Sequence, residues 1–186
     1  DIKIIHTTGD QVLDVALSKI GDKGLFTRQI ESELLAASID LAVHSLKDLQ
    51  TEQPHGLTIA AVCEREQPND AFISDKFASV DALPQGAKVA TGSLRRRSQL
   101  LNYRPDLQID EIRGNVPTRI RKFEESDLDA MILAFAGLER LGLGSHVREK
   151  IPFDVMLPAV GQGAVAIETR SDDPDSISIA AEINHR

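Results

Sequence analysis

The chain has 186 residues, 41% hydrophobic and 27% charged, an ordinary soluble globular mix that excludes disorder, collagen and coiled coil. There is no run of about 18 apolar residues and no visible signal peptide, although the abrupt start at Asp1 leaves an earlier segment open. The single cysteine, Cys63, excludes an internal disulfide and a cysteine metal cluster, and a formal charge of −8 argues against general nucleic-acid binding.

Apolar runs alternate with helical patterns along the chain. Ile2–Ile5 reads as a strand, and Thr27–Ala37 as a helix with Ile30 and Leu34 on one face. Leu41–Ser45, Leu57–Cys63 and Ala71–Ser74 read as short strands. Lys88–Ala90 is a strand running into Thr91-Gly92-Ser93, a helix start, with the helix over Ser93–Asn102. Gln108–Ile112 is the next strand. Asn115 then caps a helix that carries Pro117 in its first turn. Asp129–Phe135 reads as a buried strand and Ala136–Leu141 as a helix. Val155–Leu157 and Ala164–Glu168 are strands, and the residues from Ser176 are helical. This alternation predicts an α/β fold with mainly parallel sheets. Cys63–Asp70 and Leu157–Gly163 read as two crossings between lobes, which makes the domains discontinuous: 1–64 plus 161–186 form an incomplete first domain, and 65–160 the second.

The charge is uneven. Residues 95–121 hold seven of the thirteen arginines and only three acids, a net +4. Guanidinium forks suit carboxylates and phosphates, so the window reads either as a solvated surface or as a pocket for a polyanionic small molecule. Ligands of open α/β sheets bind beyond the carboxyl ends of the strands, and three segments place polar groups there. The first is His44–Asp48, where Asp48 beside Lys47 is either a surface pair or a catalytic carboxylate. The second is Thr91–Arg97, a helix start with two hydroxyls and free N–H groups. On its wheel Leu94 and Leu101 share a face, Arg95 and Arg96 lie away from it, and Arg97 is the arginine most readily taken as structural. The third is Arg113-Gly114-Asn115 with Thr118 and Arg119, which Arg140 either joins or leaves for a surface salt bridge. The five histidines show no metal-ligand spacing, and no phosphate-binding glycine loop is present.

DKGLF at 22–26, VHSLKDLQTE at 43–52, TGSLRRRSQL at 91–100, RGNVPTRI at 113–120, LAFAGLERLGL at 133–143 and LPAVGQGAVAIE at 157–168 occur in one order over nearly the whole chain. Together they resemble the porphobilinogen deaminase (hydroxymethylbilane synthase) family of tetrapyrrole and haem biosynthesis. The resemblance implies two lobes like those of periplasmic binding proteins, joined by a two-stranded hinge. It also implies a cytoplasmic, monomeric enzyme that condenses four porphobilinogen molecules into hydroxymethylbilane with loss of ammonia, without metal, nucleic acid or membrane. By this resemblance Asp48 is catalytic. Ser45, Lys47, Thr91, Ser93, Arg95, Arg96, Arg113 and Gln162 contact a dipyrromethane cofactor. Arg113, Arg119 and Arg140 bind substrate, and Lys19, Lys23 and Phe26 belong to a mobile segment over the cleft.

The chain departs from the family pattern in several places. It lacks the initial strand and the third α+β domain, including the glycine-rich loop whose cysteine carries the cofactor. Cys63, in AAVCERE, does not match that loop, so no covalent cofactor is expected on this chain. Gly92 stands where a serine is usual, and Gln50 where a proline is usual. The alternative to a catalytic core is a carboxylate-binding two-lobed module without turnover. A solute-binding or effector-sensing domain is a third reading.

Overall fold

The computed structural model describes residues 1–5, 7, 24 and 27–185. The positions of Lys19, Lys23 and Phe26, expected to cover the cleft, lie outside the described residues. The chain divides into two compact units. Among the described residues the first holds 1–5, 7, 24, 27–66 and 164–185, and the second holds Gln67–Gly163.

In the first unit, α1 (Arg28–Leu35) is followed by β1 (Ala42–Ser45), a 3-10 turn (Leu46–Asp48), β2 (Leu57–Val62), β8 (Val165–Arg170) and α5 (Pro174–Ala181). The sheet order is β1-β8-β2, antiparallel throughout. A register slip between Ile59 and Ala61 inserts an extra residue into β2. Leu34, Ala42 and Leu57 form one core cluster, and Ala61, Ile167 and Ala180 a second, so helices α1 and α5 each bury a separate apolar set against the sheet. Helix α1 stops at Leu35, short of the expected Ala37. Ala37 takes φ 54°, its N–H donates to Leu34 O (2.9 Å), and Ser38 N–H donates to Glu33 O (3.1 Å). That paired closure satisfies the last carbonyls of the helix. Arg170 then ties this end to β8 by donating to Leu34 O and Ile39 O.

The second unit contains β3 (Asp70–Ile73), β4 (Lys88–Ala90), α2 (Leu94–Tyr103), β5 (Gln108–Asp110), α3 (Val116–Glu124), β6 (Ala130–Ala134), α4 (Phe135–Arg140) and β7 (Val147–Lys150). Its sheet order is β5-β4-β6-β3-β7. Side chains alternate across the strands. Phe72, Val89 and Ile132 meet Leu100 of α2 on one face. Ala71, Ile73, Met131 and Leu133 meet Ile120 and Phe123 of α3 and Leu138 of α4 on the other. Strands buried on both faces read as continuous apolar runs, which is why β6 stands out in the sequence.

Three expectations are corrected. Ile2–Ile5 forms no strand, and Ile2 and Ile4 are exposed. The sheets are not mainly parallel: only β4 with β5 and β4 with β6 are parallel pairs among the described strands, because β3 runs antiparallel to both β6 and β7. Val155–Leu157 is not a strand. Val155 and Met156 N–H groups both turn back to Pro152 O, which buries Met156 in the core, while the charged Val147–Lys150 segment supplies the edge strand instead.

Candidate functional site

The parallel strands β4, β5 and β6 end on one edge of the second sheet, and each opens into a helix. Because β3 is antiparallel to β6, the first residue of β3, Asp70, pairs with the last of β6, Ala134, and joins the same edge. Lys150, at the end of β7, pairs with Ala71 there and places its ammonium 4.2 Å from the Phe135 ring centroid. A single sheet edge thus collects helix starts and cations, the arrangement that favours a bound anion.

Helix α2 begins where Ser93 adopts an extended conformation and its Oγ accepts from Arg96 N–H. Thr91, buried, accepts from Ser93 N–H. A β-carbon on Gly92 would stand 3.0 Å from Ile112 O, so glycine here lets the β4–α2 turn lie close against the chain leaving β5. Helix α3 is capped by Asn115 Oδ1, which accepts from Thr118 N–H at 3.0 Å. Arg113, before the cap, is 8% exposed, and Arg119 Nε donates to Gly114 O at 2.6 Å. Arg140 sits in the last turn of α4, not at its start, and donates to Gly163 O at 2.7 Å.

The inward face of α2 carries Arg96 and Leu100, and Leu94 is 61% exposed. The leucine face expected from the wheel is therefore not the buried one. Arg96 Nε and Nη2 meet Asp70 Oδ1 at 2.9 and 2.8 Å, and Nη1 reaches Ile132 O at 3.4 Å. Burial pushes the Arg96 guanidinium below the ordinary arginine range, and the Asp70 carboxylate opposes that shift. Arg95 is the more accessible member of the pair, with 25% of its side chain exposed. Its Nη2 lies 2.8 Å from Asp70 Oδ2, an ion pair outside hydrogen-bond alignment, and its Nη1 donates to Leu157 O. Gln162, 1% exposed, donates to Asp70 Oδ1 (2.9 Å) and Pro68 O (2.6 Å). Arg97, read as the structural arginine, is exposed beside Asp110 and Glu111 in a hollow at the start of α2.

Ser45, Lys47 and Asp48 belong to the first unit. They follow β1, where the chain leaves the sheet and closes a 3-10 turn over Leu46–Asp48, with Leu49 N–H donating to Leu46 O. Asp48 and Ser45 are exposed, and Lys47 is half-buried. Beneath them His44 Nε2 lies 3.0 Å from Glu168 Oε2, both side chains buried. Cys63, at the end of β2, is half-buried beside the apolar cluster of Ala61 and Ile167.

Sequence reading missed Asp70 and the partnership of His44 with Glu168. For Asp70 one signal existed: a carboxylate opening the apolar run Asp70–Ile73, a place where a charge is retained only against a partner. Among the described residues no cluster of three or more histidine, cysteine or acidic side chains can hold a metal ion, and no helix is long and apolar enough to cross a membrane.

Residues 1–178 match the family model described as porphobilinogen deaminase, dipyromethane cofactor binding domain. The porphobilinogen deaminase of Syntrophomonas wolfei is 58% identical over 186 residues, and that of Chloroherpeton thalassium is 57% identical over 187. In both cases all of this chain is covered, but only 61% and 60% of the relative's length. Among solved structures, a putative methionine-binding lipoprotein of Bacillus subtilis superposes with TM-score 0.55 at 15% identity, covering 86% of this chain and 75% of that one. A periplasmic substrate-binding protein of an ABC transporter from Coxiella burnetii gives 0.54 at 15% identity, covering 82% and 74%. These likenesses establish the fold as the α/β architecture of periplasmic binding proteins.

Proposed function

Because this chain belongs to the porphobilinogen deaminase family, we propose that it supplies the catalytic core that condenses four porphobilinogen molecules head to tail into hydroxymethylbilane, with release of ammonia. The observation that carries this reading is the cationic carboxyl edge of the second sheet, where Arg95, Arg113 and Arg119 stand beside the starts of α2 and α3. Each pyrrole unit of the substrate carries an acetate and a propionate, so a growing chain accumulates carboxylates. Rigid guanidinium forks and helix N–H groups bind them without metal or nucleotide.

The residues present also fit a dipyrromethane. Two guanidiniums face one buried carboxylate at Asp70, which leaves a positive charge for a carboxylate of the cofactor to neutralise. Arg95, Arg113, Ser93 and Thr91, with Ser45 and Lys47 of the first unit and Gln162, are the residues proposed to hold it; Arg96, also expected to contact it, is turned inward onto Asp70 and Ile132 O and acts through Asp70 instead. When bound, the dipyrromethane supplies the pyrrole terminus on which the chain grows. Cys63 is not proposed as its attachment point.

Asp48 is the proposed catalytic group. Its exposed carboxylate stabilises positive charge on the pyrrole nitrogen as the aminomethyl C–N bond breaks and ammonia departs. It then assists removal of the proton from the pyrrole carbon that has formed the new C–C bond. Arg113, Arg119 and Arg140 are assigned to substrate carboxylates, and Lys19, Lys23 and Phe26 to closure over the bound chain. The two proposed lobes are 1–64 with 161–186, and 65–160. The working protein is proposed to be a cytoplasmic monomer that uses no nucleic acid. Incubation with porphobilinogen, reading ammonia release and uroporphyrinogen-type product, tests the activity. Tight binding of porphobilinogen without ammonia release would reduce the chain to a carboxylate-binding module.

A further inference from the structure

We propose that Asp70 is the positioning residue of the carboxylate-binding edge: it holds Arg96 inside the fold and presents Arg95 to a carboxylate of the ligand. The identity of that ligand rests on the proposed function; the clamp itself rests on geometry. The Asp70 side chain is fully buried, and its Oδ1 collects Arg96 Nε, Arg96 Nη2 and Gln162 Nε2, all within 2.9 Å. A carboxylate is retained at such depth only against counter-charges and donors, and these three groups with Arg95 supply them.

The two arginines are held unequally. Arg96 spends its guanidinium on Asp70 and on Ile132 O, and 7% of its side chain is exposed. Arg95 contacts the same carboxylate through Oδ2, which receives no aligned hydrogen bond, and a quarter of its side chain faces solvent. One carboxylate cannot neutralise two guanidiniums, so the cluster carries a residual positive charge, and Arg95 is where that charge is accessible. A ligand carboxylate arriving at Arg95 completes the pairing that Asp70 leaves half made. Neighbouring backbone is tied to the same cluster of side chains. Gln162 bridges Asp70 to Pro68 O, while Leu157 O receives both Arg95 and Gln99. A single carboxylate therefore sets the direction of the accessible guanidinium and is linked through Gln162 to Pro68 O.

The test combines a direct readout of the clamp with a kinetic one, in the whole protein. Arginine Nε–H signals in NMR report the clamp without reference to activity. The Arg96 Nε–H is expected to exchange slowly with water, and Asp70→Asn is expected to accelerate that exchange about tenfold or more. In kinetics, Asp70→Asn is expected to raise KM for porphobilinogen about tenfold while kcat changes less than about threefold, and this rise is expected to vanish on an Arg95→Ala background. Multiplicative, uncoupled effects of the two substitutions, or a lowered Tm with unchanged KM, would overturn the proposal. If Asp70→Asn does not fold, the same cycle is measured on an Arg96→Met background, where the buried cation that requires the carboxylate is gone. Wild-type protein that shows the protected Arg96 signal but neither binds nor converts porphobilinogen would refute the activity while upholding the clamp.

Discussion

Gly114 stands between Arg113 and the α3 cap residue Asn115, with φ 120°, a conformation that L side chains rarely adopt. A β-carbon there would lie 2.7 Å from Thr118 Cγ2 and 3.0 Å from Thr118 Cβ. Gly114→Ala therefore adds two costs. The backbone conformation contributes about 1–3 kcal/mol, and the overlap with Thr118 about 1–3 kcal/mol before the threonine adjusts. A central sum is about 4 kcal/mol, and in a chain of 186 residues each kcal/mol lowers Tm by about 2–4 °C. The expected loss is thus about 8–16 °C in a thermal melt followed by circular dichroism. Adding Thr118→Ser removes the 2.7 Å contact while leaving the φ cost, and is expected to recover about 1 kcal/mol. Arg119 Nε donates to Gly114 O, so the porphobilinogen KM is expected to rise with the same substitution. A Gly114→Ala protein melting within about 2 °C of wild type would refute both the steric and the conformational reasoning.

Asp48→Asn keeps the shape of the 3-10 turn and removes the charge; kcat for porphobilinogen consumption is expected to fall about 10²–10⁴-fold with Tm unchanged. Activity equal to wild type would remove Asp48 from the mechanism. Asn115→Ala deletes the acceptor of Thr118 N–H and is expected to cost about 1 kcal/mol, read as a shift in the urea midpoint. Arg104 holds the Asp106 carboxyl at about 2, below the ordinary aspartate range. A depressed carboxylate stabilises the fold above its unfolded pKa of about 3.9, and that contribution is lost as pH falls toward about 2. Asp106→Asn is expected to flatten the acid limb of the stability curve between those values, and an unchanged slope there would contradict the pairing.

The sequence marked the helix starts at Ser93 and Asn115 because capping depends on local chemistry: a short polar side chain in extended backbone, followed by a helical pattern. It marked β6 because a strand covered on both faces must be apolar at every position. Pairing direction is different. β3 runs against β6, and nothing within Asp70–Ile73 records which way its neighbour points. The same holds for Val147–Lys150, whose charged residues suit an edge strand but give no apolar signal.

By itself the sequence determined the α/β class, the family resemblance and the gathering of arginines in 95–121, since each is written in residue types and short spacings. Only the tertiary structure decided which arginine is spent inside the fold. Asp70 and Arg96 are 26 positions apart, and their meeting depends on β3 lying antiparallel beside β6 so that its first residue reaches the carboxyl edge of the sheet. A helix wheel ranks residues by hydrophobicity and so turns Arg96 outward. A buried carboxylate across the sheet edge makes the inward orientation the stable one, because it supplies the counter-charge that burial requires.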